Sequence, residues 1–215
     1  GNLDKPLINP NPEKPITIPS DPSSAAFFIV YALCAKNTTM TLHNIGLNPS
    51  RIEFINHLKK MGGNIQITDI KTDGLEPVGT ITAQSSQLTN TTIENIPFLI
   101  DEIPILAVAG LFAKGNFSVT DAAELRVKES DRIAGIITLC DQINTSTTQT
   151  DDGFTITPPT TIPSFDFDST GDHRLAMSAM MLASIANINA TITNCDCINT
   201  SFPTFFECLN QLIEK

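Results

Sequence analysis

The sequence predicts an α/β fold of three consecutive units, each with a buried helix, a strand, an amphipathic helix and a hairpin. Three apolar segments each begin at an aspartate, namely Asp21, Asp101 and Asp172. A short strand of alternating polarity and then an amphipathic helix follow each apolar segment. Because the elements recur in the same order, a repeated architecture is favoured over a coincidence of ordinary composition.

The three apolar segments are predicted to be buried helices. They cover residues 21–36, 101–115 and 172–186 and have no polar face, which is typical of a helix enclosed on all sides. Aspartate is a preferred N-cap, because its side chain accepts hydrogen bonds from the first-turn N–H groups. Pro22 and Pro104 lie where a missing N–H costs little.

The remaining elements are predicted to form sheets and outer helices around this centre. Strands are expected at residues 40–43, 117–120 and 190–193. Amphipathic helices are expected at about residues 52–61, 133–140 and 205–213. Hairpins are expected to close the first two units, after Asn64 and around residues 151–153. The third unit has no such hairpin, and residues 15–19 could supply a closing strand.

These elements suggest a division of the chain. Residues 1–13 are rich in proline and are expected to be a linker or the remnant of a missing N-terminal domain. Residues 14–215 are expected to form one globular domain. Its three units are expected at about residues 20–100, 101–170 and 171–215.

Composition and charge restrict the classes of ligand. Of the 215 residues, 41% are hydrophobic and 17% are charged, which fits an ordered globular chain. Asp and Glu number 23 against 13 Lys and Arg, so the net charge is −10. This charge repels polyanions, so no nucleic acid and no anionic membrane is expected as a general partner. An anionic ligand would need cations concentrated at one place.

The sequence indicates a cytoplasmic protein. No apolar run reaches the roughly 18 residues of a membrane span, and the polar N-terminus does not resemble a signal peptide. Five scattered cysteines indicate free thiols in a reducing compartment. Cys195 and Cys197 are the only close pair, and nothing nearby completes a zinc set, so no metal site is predicted.

Two basic clusters lie where local electrostatics disfavours them. Residues 126–132 (RVKESDR) place three cations at a predicted helix start, and His173 and Arg174 open the third buried helix. A helix N-terminus carries about half a positive charge, so cations there need an explanation. Helix-start N–H groups with Arg and Lys can bind phosphate or carboxylate. The carboxylates of Asp101 and Glu129 would belong to such a site only if a proton must be transferred.

Each of these features also has a plainer interpretation. Asp101 could be only an N-cap, as we expect for Asp21 and Asp172. Residues 128–132 could be a solvated helix start whose charges pair with one another. His173 could be a structural hydrogen-bonding residue. The residues themselves leave these alternatives open.

Four motifs resemble the C-terminal half of the 5-enolpyruvylshikimate-3-phosphate synthase (EPSP synthase) family. They are DEIP at residues 101–104, RVKESDR at 126–132, GDHRLAM at 171–177 and the Ser-Phe-Pro element at 201–203. They occur in the right order, and the resemblance covers about residues 14–215. The RVKESDR and GDHRLAM strings are specific.

The resemblance implies both a fold and a reaction. The fold has two domains, each with three βαβαββ-type units around buried parallel helices and with mixed sheets outside. The reaction moves the enolpyruvyl group of phosphoenolpyruvate to the 5-hydroxyl of shikimate-3-phosphate and releases phosphate, a step of the shikimate pathway. It proceeds by addition and elimination without a metal or organic cofactor. A monomer is expected.

The resemblance also assigns two catalytic residues. Asp101 matches the family's proton acceptor, which contacts the shikimate hydroxyls. A carboxylate is chemically sensible there, because the attacking hydroxyl must lose a proton. Glu129 matches the glutamate proposed to handle the proton at the methylene carbon of phosphoenolpyruvate.

Four further residues match substrate-binding positions. Lys128 matches a lysine that bridges both substrates. Arg132 and Arg174 match arginines that clamp phosphoenolpyruvate, and His173 sits beside them. Some family members have a lysine where this chain has Thr200, so the clamp is expected to hold one cation fewer.

The family is about twice as long as this chain. Its N-terminal half supplies a Lys-Ser-xxx-Arg segment and a Ser-Ser-Gln segment for shikimate-3-phosphate, and we expect the chain to lack both. It is therefore predicted to be a fragment that is inactive alone and needs the missing N-terminal domain as partner. The alternatives are a non-catalytic domain that binds phosphoenolpyruvate or a partner half, and a relative of UDP-N-acetylglucosamine enolpyruvyl transferase, which lacks the two specific strings.

Overall fold

The computed structural model of the chain describes residues 18–73, 76–94 and 96–213. Helices and strands alternate along these residues, as the sequence predicts for an α/β fold. The elements are, in chain order, α1 (Pro22–Cys34), β1 (Thr39–Gly46), α2 (Glu53–Lys60), β2 (Asn64–Asp73), β3 (Glu76–Gln84), β4 (Thr92–Ile93), α3 (Ile103–Leu111), β5 (Phe117–Val119), a 3₁₀ turn (Ala123–Val127), α4 (Arg132–Gln142), β6 (Thr147–Thr150), β7 (Gly153–Ile156), β8 (Phe165–Asp168), α5 (His173–Ala186), β9 (Ala190–Thr193), α6 (Cys197–Ser201) and α7 (Phe205–Ile213).

Helices α1, α3 and α5 form the centre of the fold and pack against one another. They are largely buried, because small and apolar residues cover all their sides. Asp21 caps α1 and Asp172 caps α5 through side-chain oxygens that accept first-turn N–H groups. The prediction that Asp101 caps the second helix is wrong: α3 begins at Ile103 after an N-cap at Glu102. The Asp101 side chain instead accepts a hydrogen bond from another segment.

Each inner helix packs on its own small sheet. The first sheet has the order β1-β3-β2 and is antiparallel. The second has the order β4-β5-β7-β6, with β4 and β5 parallel and the other pairs antiparallel. The third pairs β8 and β9 in parallel. The two predicted hairpins are present as β2–β3 and β6–β7.

Strands β4 and β8 are absent from the sequence prediction. Thr92–Ile93 pairs with the second sheet, and Phe165–Asp168 pairs with the third. Strand pairing therefore starts the second and third units earlier than the expected residues 101 and 171. With these two strands, the second unit shows the βαβαββ order that the resemblance implies.

The expected linker 1–13 lies outside the described residues, as do residues 15–17 of the suggested closing strand. Ser20, just after that segment, forms a parallel bridge with Ile45 of β1. The described chain near this end therefore joins the first sheet and not the third.

Helices α2, α4 and α7 lie outside the centre and bury one face each, as predicted. Gly135 of α4 faces the side chain of Leu175 in α5, and a Cβ at Gly135 would collide with it. Because Gly135 has no side chain, α4 can approach α5 closely. This contact brings Arg132, at the start of α4, next to the start of α5. No helix in the described ranges is both long and apolar enough to cross a membrane.

Candidate active site

The N-terminal ends of the three inner helices meet at one place. The Arg174 side chain at the start of α5 donates a hydrogen bond from Nη1 to the backbone oxygen of Asp101, at 2.9 Å, just before α3. The side chain of Ser23 in the first turn of α1 faces that of Glu102 and acts to lower its pKa. The segment between the 3₁₀ turn and α4 adds Lys128 and the residues after it. Side chains from all three units therefore face one another here.

Arg132 is the centre of this cluster, and its side chain is fully buried. Its Nε donates to Asp172 Oδ2 at 2.9 Å, and its Nη1 donates to Asp101 Oδ1 at 3.0 Å. Its Nη2 donates to Glu129 Oε2 at 2.5 Å. Three carboxylates from three segments thus share one guanidinium, which satisfies the requirement that a buried charge be paired.

Asp172 connects α5 to the start of α4. Its Oδ2 accepts hydrogen bonds from Arg132 and from Ser130 Oγ, the latter at 3.0 Å. Its Oδ1 caps α5 by accepting from the backbone N–H groups of Arg174 and Leu175. Burial alone would raise the pKa of Asp172, but these hydrogen bonds and the charge of Arg132 outweigh burial and lower the pKa below 3.8.

Acid should therefore weaken the fold through Asp172. A carboxylate whose folded-state pKa lies below its ordinary 3.8 stabilises the fold above that pH and loses the contribution as pH falls through the folded-state pKa. We expect the Asp172→Asn variant to melt at a lower temperature than the unmodified chain near neutral pH. On acidification its melting temperature should fall less than that of the unmodified chain. Thermal unfolding followed by circular dichroism from about pH 6 to pH 2 measures this difference. An equally steep fall of the melting temperature with pH in both proteins would contradict the lowered pKa of Asp172. The control variant is Asp141→Asn, which changes an exposed aspartate of α4.

Asp101 is one of two half-exposed carboxylates of the cluster, with Glu129. Besides its bond to Arg132, it lies 3.9 Å from Lys128 Nζ and 3.5 Å from Arg174 Nη2. Burial raises the pKa of Asp101, but the charges of Arg174, Arg132 and Lys128 and the hydrogen bond from Arg132 outweigh burial and lower it. Asp101 is therefore ionised near neutral pH and can accept a proton.

The other predicted residues line the same cluster. Lys128 Nζ lies 2.6 Å from Glu124 Oε1, and 23% of the lysine side chain is exposed. The side chain of Glu129 is half exposed and that of Arg174 is 14% exposed. Burial and the charge of Arg174 lower the pKa of His173, so its imidazole is neutral at physiological pH.

The structure thus brings together all six residues singled out from the sequence, whose individual roles stay predictions. The interpretation of residues 128–132 as a solvated, self-paired segment is wrong for Arg132, which is buried and bonded to distant carboxylates. Arg126 serves the fold, since its guanidinium donates to the backbone oxygens of Thr150 and Asp151. Thr200 is exposed in α6.

Two residues of the charged cluster, Glu102 and Ser130, were not predicted from the sequence. Glu102 lies inside the DEIP motif and Ser130 inside RVKESDR, and the sequence alone gives neither residue a role of its own. The only sequence signal for them is their position next to Asp101 and Glu129, which were predicted to belong to the site. Among the described residues, no group of three or more His, Cys, Asp or Glu side chains is placed to hold a metal ion.

A Ser-Ser-Gln tripeptide does occur in the chain, contrary to expectation, at residues 85–87. It lies at the end of β3, where Ser85 Oγ donates to Ala35 O and accepts from Thr38 N–H. Ala35 follows the last residue of α1, so the tripeptide lies at the end of the helix opposite the charged cluster. Its serines serve the fold there.

Known proteins are similar to this chain in sequence. The sequence pattern of the EPSP synthase (3-phosphoshikimate 1-carboxyvinyltransferase) family matches residues 4–209. The 3-phosphoshikimate 1-carboxyvinyltransferase of Desulforudis audaxviator is 41% identical over 95% of this chain and 49% of its own length. That of Campylobacter jejuni is 42% identical over 96% of this chain and 48% of its own length.

Solved structures agree in fold. EPSP synthase from Acinetobacter baumannii superposes with a TM-score of 0.86 and 35% identity, covering 91% of this chain and 46% of that one. The enolpyruvyl transferase NikO from Streptomyces tendae, at 16% identity, shares the fold with a TM-score of 0.68. The chain spans about half the length of the curated relatives it matches.

The three-unit fold of this chain is the fold of the enolpyruvyl transferases. Within that class, the chain belongs to the EPSP synthase family.

Proposed function

We propose that this chain supplies the C-terminal half of a 3-phosphoshikimate 1-carboxyvinyltransferase. The complete enzyme moves the enolpyruvyl group of phosphoenolpyruvate to the 5-hydroxyl of shikimate-3-phosphate and releases phosphate. The observation that carries the proposal is the cluster in which Lys128, Arg132 and Arg174 meet Asp101 and Glu129. Cations for an anionic substrate and carboxylates for proton transfer are what this reaction needs.

In the addition step, the 5-hydroxyl oxygen forms a bond to C2 of phosphoenolpyruvate and its proton passes to Asp101. The methylene carbon of phosphoenolpyruvate gains a proton and becomes a methyl group, giving a tetrahedral intermediate. In the elimination step, the bond from C2 to the phosphate oxygen breaks, phosphate leaves, and the methyl group loses a proton. Glu129 is the group proposed to exchange protons with this carbon.

The cluster suggests how the anion enters. The guanidinium of Arg132 is fully occupied by carboxylates, whereas Lys128 and Arg174 keep some exposed surface. Of the three partners of Arg132, Glu129 is half exposed and can move into solvent, while Asp172 is fully buried. Phosphoenolpyruvate would displace Glu129 from Arg132, which frees the glutamate for its proton transfer.

The shikimate-3-phosphate site and the other wall of the cleft would come from an N-terminal domain. The relatives, about twice as long, support a two-domain enzyme. The five free cysteines fit a cytoplasmic location. The half-length match also favours a second candidate, a non-catalytic domain that binds phosphoenolpyruvate or a partner half.

Turnover should require both halves. We expect negligible phosphate release from the 215-residue chain with both substrates, because half of the binding cleft is absent. Fusing the N-terminal half of the Campylobacter jejuni relative ahead of the chain should give phosphate release that depends on both substrates.

The N-terminal half alone is the control for that experiment. Release from the isolated chain at a rate near that of a complete enzyme would refute the need for a second domain. No release from the fusion, with phosphoenolpyruvate bound by the chain, would instead support the non-catalytic domain.

A further inference from the structure

The start of α3 holds a buried carboxylate that the proposed reaction does not use. Glu102 is the N-cap residue and only 5% exposed, yet its side chain does not cap the helix. It points between the other two inner helices, toward Ser23 of α1 and toward Arg174 of α5, whose Nη1 lies 3.6 Å from Glu102 Oε1. Burying a carboxylate is costly unless it is paired, so these two contacts account for its position.

The Arg174 guanidinium is held mainly at one nitrogen. Nη1 donates to the backbone oxygen of Asp101 at 2.9 Å and also faces Glu102. Nη2 lies 3.5 Å from Oδ2 of the half-exposed Asp101. The Nη1 side is thus fixed by the fold, and the Nη2 side is turned toward the open part of the cluster.

Glu102 is itself fixed from the side of α1. Ser23 faces Glu102, and Ser23 Oγ accepts a hydrogen bond from Arg51 Nη2 at 3.0 Å. The same Arg51 nitrogen donates to Asp21 Oδ1 at 2.9 Å. Burial raises the pKa of Glu102, although Ser23, Arg174 and Arg51 act in the opposite direction. The fold therefore keeps this carboxyl group in place against a desolvation cost.

We propose that Glu102 is a positioning residue that anchors the Nη1 side of Arg174 and so presents the Nη2 side to the anionic substrate. Only the identity of that substrate, phosphoenolpyruvate, rests on the proposed function. The anchoring is a property of this chain and can be measured on it alone.

The first experiment uses NMR of arginine side-chain N–H groups in the 215-residue chain. An anchored guanidinium rotates slowly and gives separate Nη–H signals, and Arg174→Lys identifies those of Arg174. We expect these signals to merge in Glu102→Ala and to stay separate in Glu102→Gln, which keeps a neutral acceptor at the same reach. The buried Arg132 signals should persist in both variants and report an intact cluster.

If Glu102→Ala loses the Arg132 signals as well, Glu102→Asp decides the question. This variant keeps the charge but withdraws the carboxylate by one methylene, so the Arg174 signals should broaden while those of Arg132 remain. Arg174 signals that stay separate and unchanged in every folded variant would overturn the proposal.

The second experiment measures kinetics in the fusion with an N-terminal half. Glu102→Ala should raise KM for phosphoenolpyruvate about tenfold with kcat within about threefold, and Glu102→Gln should raise KM by less than about threefold. Glu76→Gln, an exposed carboxylate paired with Asn48, is the charge-matched control. A fall in kcat with KM unchanged in Glu102→Ala would refute the positioning role. A fusion without any activity would count against the proposed function, while the NMR result would still decide the anchoring of Arg174.

Discussion

Replacing Asp101 by asparagine should lower kcat of the assembled enzyme by about 10²–10⁴-fold, the usual contribution of a general base. Asparagine keeps an oxygen that can accept from Arg132 Nη1, so the cluster should remain in place. It cannot take a proton from the attacking hydroxyl. Phosphate release from saturating substrates measures the effect, and we expect KM for phosphoenolpyruvate to change much less.

The matched control is Asp141→Asn, an exposed aspartate of α4 outside the cluster. Its activity should equal that of the unmodified fusion. Full activity of Asp101→Asn would show that another group accepts the proton. A large loss of melting temperature in Asp101→Asn would instead identify the residue as structural.

Removal of the Arg132 side chain should give the largest loss of stability. Arg132→Ala leaves the buried carboxylate of Asp172 without its main counter-charge, and breaking a buried ion pair typically costs about 3–5 kcal/mol. For a domain of this size that corresponds to a fall in melting temperature of about 6–20 °C. Thermal unfolding of the 215-residue chain near neutral pH measures it.

Arg51→Ala is the control for Arg132→Ala. Arg51 is 53% exposed and pairs with Asp21 at the surface, so its loss should cost no more than about 1 kcal/mol. A melting temperature for Arg132→Ala within the range of this control would show that the three carboxylates do not depend on the guanidinium.

Much of the fold follows from local patterns in the sequence. The inner helices are recognisable because long apolar runs follow a capping residue, and the outer helices because their apolar residues share one face. Strand β4 cannot be predicted in this way, because its two residues are too few to show a periodic pattern. The pairing of β8 with β9 across α5 depends on packing that no local window contains.

The candidate site was found from residues that contradict local rules. Lys128, Arg132 and Arg174 stand out because cations lie at helix starts. Their partners are decided by tertiary contacts, and for that reason sequence analysis assigned Asp172 only a capping role. In the structure its second oxygen binds Arg132, 40 residues away. Local patterns give no signal for such a pairing.

The bonding of Arg132 makes two of the three units depend on each other. This side chain contacts Asp101, 31 residues before it, and Asp172, 40 residues after it. No single unit contains all three, so the complete cluster forms only when the second and third units have packed together and loops of this length have closed. The second unit alone contains Asp101, Glu129 and Arg132, but the buried partner Asp172 and the neighbouring Arg174 come from the third unit. Packing of the second unit against the third is therefore a condition for the complete arrangement of charges.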